Sequence, residues 1–163
     1  MCAAPRRGPP PLRPFGLVLH HDGRFTHEGV PITNAKLRDA FERGVRFLPD
    51  EGESGKYVVQ LGHFRGEIEL EEAGFFVRGF DAASGTLSLS DGSREPLDPT
   101  TLHVSPRDGA LLCRVKRDLR PEGLLARFQH AAQADLLNAV EEGGDGPVLC
   151  VGTDRVALPA GLA

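Results

Sequence analysis

The side chains best suited to binding a ligand or a metal crowd into one short segment near the start of the chain. In order, they are His20, His21, Asp22, His27 and Glu28. Histidine nitrogens and carboxylate oxygens are common zinc ligands, and a zinc site needs three or four donors that converge. Histidine also changes charge near neutral pH, so a ligand site built from these residues would weaken in mild acid.

The spacing of this segment predicts a β-hairpin. The Asp-Gly pair at 22–23 is typical of a two-residue turn, because glycine tolerates the positive φ that such turns require. In that register His20 pairs with Phe25. Because side chains alternate along strands, the same register puts His20 and His27 on one face, close enough to act on a shared ligand.

Two interpretations of this hairpin stay open. In the first, His20, His27 and Glu28 form the rim of a ligand site, and a metal would need a third ligand such as His63 or His103. In the second, both rings make hydrogen bonds to neighbouring backbone and simply hold the hairpin. No bound metal and no cofactor is predicted, because no complete set of ligands can be named.

Basic residues cluster once in the predicted folded part, at a junction between a strand and a helix. They are Arg114, Lys116, Arg117 and Arg120. Arginine forks suit carboxylates and phosphates, so this patch is a candidate site for an anion or an acidic partner. The alternative is a solvated junction without a ligand.

Other patterns that carry chemistry are incomplete. Glu67, Glu69 and Glu71 alternate with apolar residues, which is typical of a strand with one face in solvent. No serine lies in a G-x-S-x-G segment, and the glycine-rich run at 143–146 follows a helical pattern, where it predicts a turn and not a phosphate loop. Cys113 and Cys150 lie in apolar surroundings, so we expect buried thiols in a reducing, cytoplasmic setting.

Composition and charge exclude several classes of function. The chain has 163 residues and a net charge of −4, and its first fourteen residues contain three arginines and no acid. The remainder is therefore more acidic than the total, which disfavours binding to nucleic acid or to an anionic membrane. No apolar run approaches the roughly 18 residues of a membrane span. Residues 1–14, rich in proline and arginine, are predicted to be a disordered tail.

The remaining elements predict an α+β fold, with a curved antiparallel sheet or β-roll and two main helices. Apolar residues at helical spacing predict helices over about 34–47 and 122–141. Three Asp-Gly pairs, at 22–23, 91–92 and 108–109, favour antiparallel hairpins. We expect one domain over 15–161, with sub-lobes at 15–97 and 98–161.

The run from Asp22 to Ile32 resembles the opening of a bacterial family of uncharacterised proteins, domain of unknown function 1285. Later features agree in order: the segments 55–59, 67–77, 96–97, 113–128 and 152–159. The resemblance spans about Leu17 to Pro159. It implies a two-lobed α+β roll in a bacterial, soluble protein, and it implies no established activity. Val30 stands where the family commonly has serine, so any chemistry of that serine is lost here.

These observations favour a small binding module without catalytic activity that takes a ligand or a protein in a groove between sheet and helices. The alternative is a metal-assisted enzyme that uses the histidines of the first hairpin. The partner is then an unknown small molecule or protein, and a homo-oligomer is possible on the same evidence.

Overall fold

The computed structural model describes residues 14–162. The predicted disordered tail lies outside the described residues, except for Pro14, with which the first strand begins. Within the described range, the chain forms three β-sheets and two α-helices. No helix in this range is both long enough and apolar enough to cross a membrane.

The first sheet has six strands in the order β3-β2-β1-β6-β5-β4. Its strands are β1 (Pro14–Leu19), β2 (Phe25–His27), β3 (Val30–Pro31), β4 (Val45–Leu48), β5 (Lys56–Leu61) and β6 (Phe64–Leu70). Helix α1 (Ala35–Gly44) connects β3 to β4. Strands β1 and β6 run parallel, and the other neighbours are antiparallel.

The second sheet also has six strands, in the order β10-β11-β12-β7-β8-β9. They are β7 (Phe75–Asp81), β8 (Thr86–Leu89), β9 (Arg94–Pro96), β10 (His103–Val104), β11 (Leu111–Val115) and β12 (Leu124–Phe128). Strands β12 and β7 are parallel. Helix α2 (His130–Asn138) then leads to a three-stranded antiparallel sheet of β13 (Val140–Gly143), β14 (Gly146–Val151) and β15 (Asp154–Ala157).

The predicted α+β class is confirmed, but both predicted helices were too long. Asn34 caps α1, since its Oδ1 accepts the Leu37 N–H at 3.1 Å. The helix ends at Gly44, where any Cβ would lie 2.6 Å from the Gln60 carbonyl oxygen. The β-branched and aromatic residues of β4 then pair with β5, so residues 45–47 are strand.

The prediction of one helix over 122–141 was wrong in a more instructive way. Residues 124–128 form β12, in the middle of the second sheet, and α2 covers only 130–138. A short apolar run fits a buried strand and a buried helix equally well. Pairing with β11 on one side and β7 on the other decided between them, and Phe128 is buried in the strand.

One hydrophobic core extends through both large sheets, with Phe25, Phe75, Phe128 and Cys113 among its buried members. Burial raises the pKa of the Cys113 thiol to about 12, so it stays protonated, as a buried thiol should. The change of sheet falls between β6 and β7, at residues 71–74. Strands β9 and β10, on either side of the predicted 97/98 boundary, belong to one sheet, and the sub-lobes stay a prediction.

Candidate functional site

The segment between the two large sheets carries two adjacent carboxylates, Glu71 and Glu72. The Glu71 N–H donates to the Leu19 carbonyl at 2.9 Å, so the segment continues along β1 after β6 has ended. Gly74 closes the segment against Tyr57, since a Cβ there would lie 2.5 Å from the tyrosine ring. Backbone contacts therefore fix the position of this segment, independently of the contacts that the two glutamate side chains make.

Glu72 is buried against an arginine of the second sheet. Its side chain is 7% exposed, and its Oε1 accepts from Nη1 of Arg127 at 3.0 Å. Nη2 of Arg127 donates to Asp108, in the turn between β10 and β11. Burial opposes the charge on Arg127, but the hydrogen bonds to Asp108 and Glu72 outweigh it and raise the pKa of the guanidinium. The Arg127 hydrogen bond likewise lowers the pKa of Asp108.

Residues 105–107 tie the same turn to the linking segment. The Ser105 hydroxyl donates to Glu72 Oε2 at 2.7 Å. Nη2 of Arg107 donates to the Glu71 carbonyl at 3.1 Å, and its guanidinium lies within 4 Å of both glutamate side chains. The turn and the linking segment thus share a charged network that joins the first sheet to the second.

Two histidines of the first hairpin complete this network. His20 Nδ1 lies 2.9 Å from Glu71 Oε2, and its Nε2 lies 2.9 Å from the Thr26 hydroxyl. His21 Nδ1 contacts the other oxygen of Glu71. The hydrogen bonds from His20 and then His21 lower the pKa of Glu71 to about 2.

A cleft of about 590 Å³ opens beside the network. The turns that hold Asp22 and Asp108 contribute to its wall, as do Arg127 of β12 and the first turn of α2 around His130. Ala110 and Ala131 add apolar surface, and Phe76 and Phe128 lie behind the wall, almost fully buried. The volume lies within the range of known small-molecule sites.

Helix α2 begins at this cleft without a side-chain cap. Its N-cap residue, Gln129, makes no capping hydrogen bond, and the Gln129 side chain instead donates to Glu42 at 3.3 Å. The first amides of a helix have no acceptor within the helix. The cleft is therefore lined by backbone donors as well as by side chains.

The hairpin register differs from the predicted one by a residue. Leu19 pairs with Phe25 and Leu17 with His27, so the connecting loop is longer than two residues. Directly paired residues share a face and successive residues alternate, so His20 and His27 project from opposite faces. The predicted pairing of His20 with Phe25, and with it the shared face of His20 and His27, was therefore wrong. A ligand-binding role for these residues stays a prediction.

Glu28 is the third predicted ligand residue of this hairpin. Glu28 is exposed in the turn between β2 and β3, with a positive φ of 50° and its N–H bonded to the Gly16 carbonyl at 2.9 Å. Within residues 14–162, no group of three or more His, Cys, Asp and Glu side chains could hold a metal ion. Of the predicted ligand residues, His20 joins the charged network through Glu71.

The predicted basic patch is satisfied within the chain. Nζ of Lys116 contacts Asp91 at 2.7 Å and Ser93 at 3.1 Å, and Arg117 pairs with Asp98 at 2.8 Å. Arg120 stacks on a phenylalanine ring, 4.9 Å from its centroid, and Arg114 donates to a backbone carbonyl at 3.4 Å. These four residues are close together in the sequence, and each of them contacts another residue of the same chain.

Sequence reasoning singled out Asp22 but missed Asp108 and Arg127, which border the cleft with it. Asp108 was recognised only as part of a turn, and Glu72, which anchors Arg127, only within the segment 67–77. Arg127 was read as one position in a helix, although it is the single charge in the apolar run of β12. A lone charge in a buried strand must be paired, and that was the available signal.

The chain matches no protein-family model and no curated protein. Two solved structures resemble it, both of DUF1285 family proteins. The protein from Silicibacter pomeroyi DSS-3 is 17% identical with a TM-score of 0.58, over 92% of this chain and 83% of that one. The protein from Shewanella baltica OS155 is 16% identical with a TM-score of 0.48, over 76% of this chain and 91% of that one. The predicted resemblance to this family is confirmed at the level of the fold.

Proposed function

We propose that the protein is a small-molecule-binding module and that its ligand occupies the cleft beside Arg127. One observation carries the proposal: a buried, charged arginine lines a cleft of about 590 Å³ and is held there by carboxylates from two other segments. An arginine fixed in this way is already oriented for a ligand, so binding costs little side-chain entropy.

The surrounding network supports a binding role because it fixes the cleft walls. Glu72 is anchored by Arg127, Ser105 and Arg107, which belong to different segments of the second sheet and its turns. Rigid walls favour specific binding of one ligand over non-specific binding, because little conformational entropy is lost when the ligand binds. The cleft also mixes apolar surface from Ala110 and Ala131 with convergent polar groups, as ligand sites commonly do.

A metabolite screen by thermal shift tests this function, because a ligand that binds only the folded state raises the melting temperature by mass action. The matched pair of variants is Ala131→Trp and Ala134→Trp. Both alanines are exposed on α2, and of the two only Ala131 lines the cleft. The tryptophan side chain at the first position is expected to fill part of the cleft.

We expect at least one metabolite to stabilise the wild type and the Ala134→Trp variant but not the Ala131→Trp variant. If no compound in a broad screen raises the melting temperature, the proposal is wrong. It is equally wrong if every stabilising compound acts on the Ala131→Trp variant as strongly as on the wild type, because the ligand then binds elsewhere.

A further inference from the structure

The polar groups of the cleft have opposite charges. Arg127 and the uncapped first turn of α2 are positive, whereas Asp22 and Asp108 are negative. Building on the proposed binding role, we infer that the ligand is a small zwitterion that carries both an amine and a carboxylate, such as an amino acid or a short peptide.

Arg127 supplies the carboxylate-binding pole. A guanidinium has five N–H donors, and the side chain of Arg127 uses one on Glu72 and one on Asp108. The other donors have no acceptor within residues 14–162, although no fully buried side-chain nitrogen in this range lacks a partner. Nε has no such partner and therefore keeps contact with solvent, and Arg127 is one of the residues that line the cleft.

Asp22 supplies the amine-binding pole. Its Oδ1 accepts from the Arg24 N–H at 3.1 Å and its Oδ2 from Arg24 Nε at 2.6 Å. Each carboxylate oxygen has two lone pairs, so both can accept a second donor. Burial opposes the charge of Asp22, but the hydrogen bonds to Arg24 outweigh it and lower the pKa. Asp108 adds a second ionised carboxylate to the same cleft.

Ligands with one kind of charge fit this arrangement poorly. A dicarboxylate would meet Asp22 and Asp108 as well as Arg127, and a diamine would meet Arg127 as well as the two aspartates. Like charges at short range in a partly desolvated site cost several kcal/mol. A zwitterion can place each end against its opposite and leave its side chain to the small apolar residues of the wall, Ala110 and Ala131.

The test is calorimetric titration of the full chain with each common L-amino acid and with the corresponding alanyl dipeptides. The two panels separate a free amino acid from a short peptide. The best binder is then compared with its deaminated acid and with its decarboxylated amine. We expect each truncation to weaken binding about tenfold or more, the scale of one charge-assisted hydrogen bond.

A pair of variants assigns the poles. Asp22→Asn removes the charge but keeps an oxygen for the Arg24 N–H, so the hairpin should persist. We expect it to weaken the zwitterion about tenfold and to leave the deaminated acid unaffected, a split that a purely structural defect would not produce. The control, Asp154→Asn, alters an exposed residue of β15 outside the cleft and should change neither.

Two results would overturn the inference. One is that no amino acid or dipeptide binds, and the other is that the deaminated acid or the decarboxylated amine binds as well as its parent. If the metabolite screen has meanwhile found another ligand that the Ala131→Trp variant excludes, the binding role stands and only the zwitterion is wrong. If that screen also finds nothing, both are wrong.

Discussion

Arg127, in β12, and Lys116, directly after β11, both have largely buried cationic side chains, yet their surroundings differ in one respect. The Lys116 side chain is 14% exposed, and its ammonium contacts Asp91 and Ser93 and lies 5.0 Å from the centroid of the Phe75 ring. An ammonium has three donors, and these contacts account for its capacity. Arg127 is as buried, at 11%, but it has spare donors and lines a cleft.

This difference in unused hydrogen-bond donors distinguishes Lys116, a cation that stabilises the fold, from Arg127, the proposed ligand-binding cation. Lys116 even adopts a positive φ of 55°, with its own N–H directed at both oxygens of Glu95, so its backbone and its side chain are both committed to the fold. Arg127 lies in a regular strand, and only part of its side chain is committed. Charge alone does not identify a site; unused hydrogen-bonding capacity beside open space does.

The largest effect is expected for Lys116→Met, because it leaves the Asp91 carboxylate, 8% exposed, without its cation. Breaking a buried ion pair on one side costs about 3–5 kcal/mol. Urea denaturation should show a loss of this size in the free energy of unfolding, with ligand binding at the cleft unchanged.

The double variant Lys116→Met, Asp91→Asn is the control for that result. It removes the unpaired charge, and the asparagine keeps an acceptor for the Ser93 N–H. It should recover a large part of the lost stability. A loss below about 1 kcal/mol for Lys116→Met alone would place this lysine among surface charges and erase the contrast with Arg127.

A smaller effect is expected for Glu72→Gln, which weakens one of the two anchors of Arg127. A hydrogen bond to a charged group contributes about 1.5–3 kcal/mol, and the amide retains part of it. The charge of Arg127 is then less neutralised, so carboxylate ligands should bind more tightly to this variant than to the wild type. Unchanged binding of carboxylates, measured by calorimetry at equal folded fraction, would mean that Arg127 acts only in the fold.

Glu71 is more exposed than Glu72, and its contribution is best detected through pH. Its pKa is lowered from 4.5 to about 2 in the folded protein, so it stabilises the fold at pH above 4.5. This stabilisation is lost as the pH falls from 4.5 towards 2. In Glu71→Gln the loss of stability over that window should be shallower than in the wild type.

The matched control is Glu69→Gln. Glu69 is exposed on the neighbouring strand β6 and makes no ion pair among residues 14–162. The stability of the Glu69→Gln variant, measured by circular dichroism as a function of pH, should match that of the wild type over the same window. Superimposable profiles for Glu71→Gln and the wild type would show that the two histidine contacts add nothing to the fold.

Much of the fold could be predicted from local signals. The α+β class and the start of the first helix near Asn34 both follow from patterns close in sequence, and the Asn34 side chain caps that helix. The errors arose where strand pairing between segments far apart in the sequence determined the secondary structure or the register. Residues 124–128 became a strand because β7 and β11 flank them, and the first hairpin took a register that buries Leu17, Leu19 and Phe25 together.

The candidate site was harder to predict, because its members are far apart in the chain. Glu72 and Arg127 are 55 residues apart, and Asp108 comes from a third segment. The residues that looked most like a site were neighbours in sequence, and their partners, such as Asp91 for Lys116, came from elsewhere to neutralise them. Local crowding of charges therefore said little about which charges remain available.

The smallest effect is expected for Arg117→Ala, in the part of the basic patch that is closest to solvent. Arg117 and Asp98 are 52% and 33% exposed, and exposed ion pairs contribute about 0.2–1 kcal/mol. Asp98 keeps its main partners without the arginine, because its Oδ1 accepts from the Thr100 N–H at 3.0 Å and from the Thr100 hydroxyl at 2.6 Å. The hydrogen bond from the Thr100 side chain is also the main cause of its lowered pKa. We therefore expect a shift in urea midpoint near the limit of detection and unchanged binding at the cleft. A clear loss of ligand binding in Arg117→Ala, with stability intact, would make the basic patch the binding region and reverse the contrast between the two buried cations.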